Sequence, residues 1–219
     1  MADTVDDAIL AFSKGKPVMV FDSDFREKET DLLWPATAAT PEVMRRLRID
    51  CGGLLFLAIG DEIGQMFDLP WLQDLHTHKG LVDDNPVLSH LITNDLQYDT
   101  RSAFTLSINH RDTYTGITDR DRALTIKEMS TLYQKENPKQ FFNSTFKTPG
   151  HVPLLIASNG LLSSRTGHTE MSVYLTQLAN LSPITAICEM MDSETYSALS
   201  VDRAEKYAKE NAIPFIDGK

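Results

Sequence analysis

The run Leu54-Leu55-Phe56-Leu57-Ala58-Ile59 limits the fold of this chain more than any other stretch. It follows Gly52-Gly53, carries no polar alternation, and reads as a strand covered on both faces. Such a strand belongs inside a sheet that has neighbours on either side. Further strands are expected at 17–21, 32–36, 102–108, 113–118, 154–157, 184–189 and 213–216. Helices are expected at 4–14, with Thr4 as a cap, and from Thr40-Pro41-Glu42 to about Cys51. Others fall at 61–68, at 125–136 behind a Thr125–Glu128 capping box, after Thr169, and at 200–210. Residues 119–122 read as a charged turn, and Thr148 to Pro153 as a tight turn. From 71 to 100 the chain turns polar and loses its period, as a solvated insertion does. Helices mixed with buried and alternating strands point to one α/β (α+β) sandwich: a single domain over 1–219 with a mixed sheet flanked by helices.

Composition narrows the function classes. With 42% hydrophobic and 24% charged residues, the 219-residue chain can bury a proper core. A formal net charge of −10 with no basic stripe argues against a nucleic-acid backbone as partner. Cys51 and Cys188 are too few for a disulfide framework or a cysteine zinc site, and with no signal-peptide pattern they fit a reducing cytoplasm. The apolar run from Gly53 to Ile59 is far shorter than a membrane span.

Chemistry concentrates in two places. Asp22-Ser-Asp-Phe-Arg-Glu-Lys-Glu-Thr-Asp31 packs five carboxylates around Arg26 and Lys28 at a strand exit. A strand running straight on puts Glu27, Glu29 and Asp31 on one face and turns Arg26 away, so a site using both Arg26 and Glu27 needs a loop here. Taken alone the stretch reads first as a solvated acidic loop, the commonest fate of a charge run. The second place is Arg165-Thr-Gly-His-Thr169, ahead of a helix. Free amides at a helix start beside Arg165 suit an anion such as phosphate, although an ordinary helix capped by Thr169 has the same residues. His168 beside a carboxylate such as Glu27 makes a mixed nitrogen and oxygen site suited to Mg²⁺ or Mn²⁺; a surface histidine bonded to its own loop is the alternative. His151 reads as a general base or as a turn histidine against Pro153. Glu189 ends an apolar run where desolvation raises a carboxyl for acid–base work, unless it simply emerges into solvent. Cys51 and Cys188 read as small core residues. His76, His78, Asp83, Asp84 and His90 tempt one to draw a metal site, but no repeat fixes their geometry.

Four blocks in order, Arg-Glu-Lys-Glu-Thr-Asp at 26–31, Pro-Gly-His at 149–151, Arg-Thr-Gly-His-Thr-Glu at 165–170 and Cys-Glu at 188–189, resemble the 3,4-dihydroxy-2-butanone 4-phosphate synthase family of riboflavin biosynthesis. Thr-Gly-Ile-Thr-Asp-Arg-Asp-Arg at 115–122 is similar to a further segment of that family. The resemblance implies conversion of D-ribulose 5-phosphate into 3,4-dihydroxy-2-butanone 4-phosphate and formate with two Mg²⁺ or Mn²⁺ ions, by a cytoplasmic homodimer whose sites lie near the subunit interface. By the same resemblance Glu27 and His168 hold metal. Arg26, Glu27, Asp31, Arg165, Thr166, Gly167, His168, Thr169 and Glu189 hold substrate, and His151 and Glu189 move protons. Glu29 and Cys51 line the pocket. Thr166 departs from the pattern, since many members have Gly or Ala there. A non-catalytic sugar-phosphate-binding module and a metal-dependent sugar-phosphate isomerase are the alternatives.

Overall fold

The computed structural model describes residues 3–92, 96, 99, 101–132 and 134–218. In chain order the elements are α1 (Val5–Ser13), β1 (Val18–Phe21), β2 (Thr30–Pro35), α2 (Pro41–Asp50), β3 (Gly52–Ile59) and α3 (Asp61–Met66). Then come α4 (Leu72–Thr77), α5 (Lys79–Asp84), α6 (Leu88–Leu91), β4 (Phe104–His110), α7 (Asp119–Leu132) and α8 (Pro138–Thr145). The chain closes with β5 (Phe146–Ile156), α9 (His168–Leu178), β6 (Ile184–Met190), α10 (Val201–Glu210) and β7 (Phe215–Asp217).

The seven strands form one mixed sheet in the order β4-β5-β3-β6-β2-β1-β7. The apolar run of β3 lies between β5, parallel to it, and β6, antiparallel to it. Strand alternation sorts the sheet's side chains into two cores. Met19, Leu32, Leu57, Ala186 and Cys188 pack with Met44 and Leu47 of α2 and Met129 of α7. On the other face Val20, Leu33, Phe56 and Ile187 pack with Phe12 of α1 and Val173 of α9. The mixed sheet flanked by helices is therefore as expected.

Several local expectations are corrected. Residues 113–118 form turns instead of a strand, because Thr113 Oγ1 donates to His110 O at 2.7 Å and the Asp121 carboxylate accepts Gly116 N–H at 2.9 Å. These local bonds satisfy the backbone that a ladder would otherwise claim. The charged turn at 119–122 is the first turn of α7, begun by Thr118 Oγ1 accepting Asp121 N–H at 3.1 Å. Thr125 lies inside that helix, so the capping signal sits one motif upstream of the expected place. The tight turn at 148–153 belongs to β5, whose pairing with β3 covers only Leu154–Ile156. Pro149 and Pro153 precede or edge that doubly paired stretch, where a missing N–H is tolerated. The aperiodic stretch from 71 holds α4, α5 and α6, none with a buried residue, while 93–95, 97, 98 and 100 fall outside the described residues. Among the described residues no helix is long and apolar enough to cross a membrane.

Candidate active site

Three strands and one helix converge on the α9 side of the sheet. Asp31 in β2 stands opposite Glu189 in β6, and each lies two residues along its strand from a residue of the α9-side core, Leu33 and Ile187 respectively. The stretch before β2 is a loop over 22–29, as a site using Arg26 and Glu27 requires. Asp22 shapes it: its carboxylate, fully buried, accepts Glu27 N–H at 2.8 Å and Glu29 N–H at 3.1 Å. Those two bonds hold Glu27 and Glu29 over the strand end.

His168 opens α9 directly after Gly167, which is the helix N-cap and gives no side-chain cap bond. The expected cap, Thr169, lies inside the first turn and is buried, so the leading amides of α9 are not occupied by a cap side chain. A Cβ on Gly167 would sit 2.3 Å from Arg165 Nη1. Only glycine lets that guanidinium fold back across the helix start. Glu189 depends on a second glycine. A Cβ on Gly53 would meet Glu189 Oε2 at 2.5 Å, and a register shift of β3 between Gly52 and Leu55 lets Leu54 N–H donate to the same oxygen at 2.6 Å.

Together these groups line a cavity of about 470 Å³ containing Glu27, Glu29, Asp31, Arg165, His168, Thr169 and Glu189. His168 Nδ1 lies 3.5 Å from Asp31 Oδ2 and 3.7 Å from Glu27 Oε2. Ligand atoms of Asp22, Glu27 and His168 lie within 4.8 Å of one another. His168 Nε2 and Asp31 Oδ1 are buried without a hydrogen-bond partner among the described residues. Buried polar atoms left in that state cost free energy unless something else satisfies them.

The electrostatics of the cluster follow from its burial and its neighbouring charges. Burial pushes the Asp31 carboxyl up to about 8, with His168 pulling the other way and Glu189 and Glu29 adding to the rise. Burial alone would depress His168, but Asp31, Glu27 and Asp22 outweigh it and raise the imidazolium to about 9. Desolvation also raises Glu189 and Glu29. The cluster takes up protons because burial disfavours the charge on its carboxylates, and their mutual repulsion adds to that. A multivalent cation relieves the same repulsion, and an imidazole with carboxylates is a donor set suited to Mg²⁺ or Mn²⁺ once substrate oxygens join it.

Not every expected residue joins the cavity. Thr166 is exposed and outside its lining. Cys51 does not line it either: at 2% exposure it packs into the opposite core with Cys188, whose hydrogen bond, together with burial, pushes its thiol up. His151 is exposed on β5 and lies outside the lining. Its N–H donates to Asn109 Oδ1 at 2.8 Å, which turns the amide so that Nδ2 faces His151 Nδ1 at 3.1 Å. Arg26 reaches the cavity's edge through Asp99, at 3.2 Å. Four contributors escape sequence reasoning. Asp22 was legible only as one acid among five, Gly53 and the Leu54 amide only as a strand start, and Asp99 lies in a stretch without period. Arg101 also lines the cavity, its guanidinium 3.8 Å from the Trp71 ring centroid.

The 3,4-dihydroxy-2-butanone 4-phosphate synthase family model matches residues 6–219. The chain is 40% identical over 214 residues to the 3,4-dihydroxy-2-butanone 4-phosphate synthase of Methanothermobacter thermautotrophicus, covering 98% of this chain and 92% of that one. It is 41% identical over 218 residues to the enzyme of the same name from Archaeoglobus fulgidus, covering 98% and 90%. A solved 3,4-dihydroxy-2-butanone 4-phosphate synthase in complex with two magnesium ions superposes with a TM-score of 0.80 at 26% identity, over 99% of this chain and 93% of that one.

Proposed function

The chain belongs to the 3,4-dihydroxy-2-butanone 4-phosphate synthase family, and on that premise we propose how its cavity converts D-ribulose 5-phosphate into 3,4-dihydroxy-2-butanone 4-phosphate and formate in riboflavin biosynthesis. The observation that carries the reading is the meeting of Asp22, Glu27 and His168 within 4.8 Å beside a half-buried Glu189. Glu27 and His168, with Asp22 as a third donor, would hold the divalent ions, two Mg²⁺ or Mn²⁺ per site. When bound, such ions supply Lewis-acid stabilisation to adjacent sugar oxygens as negative charge develops there.

The chain's own residues supply the rest. The amides of α9 with Arg165, Thr169 and Arg26 hold the phosphate end of the sugar. Thr166 contributes through its backbone at most, because its side chain is exposed. Asp31 and Glu29 face the sugar hydroxyls as acceptors. Glu189 has one oxygen fixed by Leu54 N–H, so Oε1 is the atom that takes and returns protons, and desolvation, which raises this carboxyl, suits it to that exchange. His151 enters differently. With Nδ1 accepting from Asn109, the neutral ring carries its proton on Nε2 and presents a donor to solvent. Exposed and off its own cavity, it reaches a sugar only across an interface, which favours the homodimer with sites shared between subunits. The absence of a suitable membrane helix among the described residues and the reducing-compartment cysteines fit a cytoplasmic enzyme.

The test is formate release from ribulose 5-phosphate by the purified, Mg²⁺-loaded chain. His151→Ala and Glu189→Ala each abolish nearly all of it while the fold stays intact, and mixing the two inactive variants restores part of the activity through hybrid dimers carrying one intact site. An isomerase would yield another pentulose phosphate and no formate. Full activity in either variant removes the role given to that residue.

A further inference from the structure

Each guanidinium nitrogen of Arg165 meets a carboxylate. Nη1 meets Glu170 Oε2 at 2.5 Å, while Nε and Nη2 both meet Asp99 Oδ2, at 2.7 and 2.5 Å. Arg26 Nη2 reaches that same Asp99 oxygen at 3.2 Å. One carboxylate oxygen therefore sits between two guanidinium groups, with the Asp99 side chain only 11% exposed and lining the cavity. A phosphate cannot take these donors while Asp99 keeps them.

The two acidic partners of Arg165 are not equivalent. Glu170 is fully buried on α9, and its other oxygen accepts Ser158 N–H at 2.7 Å. Withdrawing it strands a buried charge and a backbone amide, which is strongly unfavourable. Asp99 lies in the connection between α6 and β4, beside the cavity, and its carboxylate is held there by the two arginines. Of the two, Asp99 is the one that can leave.

We infer that Asp99 is an internal stand-in for the substrate's phosphate, a specificity-determining residue that holds Arg26 and Arg165 aimed at the cavity and yields only to a stronger anion. The inference rests on the reading of those arginines as phosphate holders. A phosphate dianion offers three acceptor oxygens and a second charge against one carboxylate, so it displaces Asp99. An unphosphorylated sugar, or one ending in a carboxylate, gains nothing by the exchange. Competition from within thus sharpens selection for phosphorylated sugars, at some loss of absolute affinity.

The test uses the full-length, Mg²⁺-loaded protein and inorganic phosphate as probe, with calorimetric titration as the readout. Asp99→Asn keeps the shape and removes the charge. It is expected to bind phosphate roughly tenfold more tightly, as when a resting state that is about nine-tenths self-occupied is released, and to discriminate less between phosphate and acetate. Unchanged or weaker phosphate binding in Asp99→Asn overturns the inference, and weaker binding would mark Asp99 as a brace for the arginines. Arg165→Gln tests the underlying reading separately. If it loses phosphate binding while Asp99→Asn is unchanged, only the stand-in role fails. If Arg165→Gln binds phosphate as the parent does, the phosphate-holding reading fails with it.

Discussion

Residues 72–91 and residues 22–31 carry nearly the same ligand chemistry, yet they end in opposite environments. The first holds Asp74, His76, His78, Asp83, Asp84 and His90 on or between three helices of six, six and four residues, none with a buried residue. The second places Asp22 and Asp31 at 1% exposure against a histidine that is 5% exposed. Although α4 packs against β4, none of these ligand residues is buried, so nothing holds two of them at a set distance. The ends of β2, β3 and β6 are tied together by ladder bonds, and α9 lies on them as a roof. A cation site is made by desolvation and fixed placement. Density of ligands along the chain does not make one.

The contrast can be broken most severely at the second region. His168→Gln or Glu27→Gln is expected to lower kcat/KM by roughly a thousandfold or more, the scale of lost electrostatic stabilisation at a reacting centre. Either should also remove the rise in thermal midpoint that Mg²⁺ gives the parent protein. Retention of that rise in both variants would mean the ions sit elsewhere.

Glu189→Gln comes next, with kcat reduced about 10²–10⁴-fold, as for loss of a general acid–base group. Magnesium binding, followed by calorimetry, should persist, which separates proton transfer from metal holding. Gly53→Ala is a milder intrusion, because the new methyl meets the Glu189 carboxylate at 2.5 Å. It should cost about 1–3 kcal/mol of stability, as overpacking does, and depress kcat because the carboxylate is pushed from Leu54 N–H. An unaltered midpoint in denaturant would show that the strand end yields freely.

The charge arrangement makes a smaller, signed prediction. Asp31 is raised from the ordinary 3.8 to about 8, and His168 from 6.5 to about 9. In both cases the folded metal-free protein holds a proton that the unfolded chain has already lost. Stability therefore falls as pH rises, between about 4 and 8 for Asp31 and between about 6.5 and 9 for His168. The thermal midpoint of metal-free protein should drop by on the order of 5 °C from pH 6.5 to 9, and saturating Mg²⁺ should recover most of it. A flat or rising midpoint in scanning calorimetry speaks against the buried cluster. Least affected is the first region: the double variant His76→Ala with His78→Ala should leave formate release intact and stability within about 0.5 kcal/mol.

Much of this was legible before any coordinates. Thr4 does cap α1, its side chain and that of Asp7 forming a reciprocal box, and Thr40-Pro41 does open α2. The apolar run at 54–59 does lie in β3, buried from Leu55 to Ile59, whereas Leu54 stays exposed. These signals succeed because each is complete within one turn or one strand. The failures at 113–118 and at Thr125 are local competitions between side-chain and ladder hydrogen bonds, decided by partners such as His110 and Asp121 that a pattern of β-branched residues does not weigh. Cys51 misled for another reason. It is close in sequence to Gly53, which touches Glu189, but the pleat turns Cys188 and its partner Cys51 to the opposite core.

What the sequence determined by itself is the inventory and its local carriers: which stretches become strands and helices, and which blocks mark the family. Which charges share one solvent-poor space was decided only by tertiary structure. Asp22 as a third donor, Asp99 clasped by two arginines, and His151 standing outside its own cavity all depend on contacts between segments far apart in the chain. The physical reason is burial. A carboxylate's partners and proton affinity are set by what surrounds it in three dimensions, and its neighbours in sequence do not specify those surroundings.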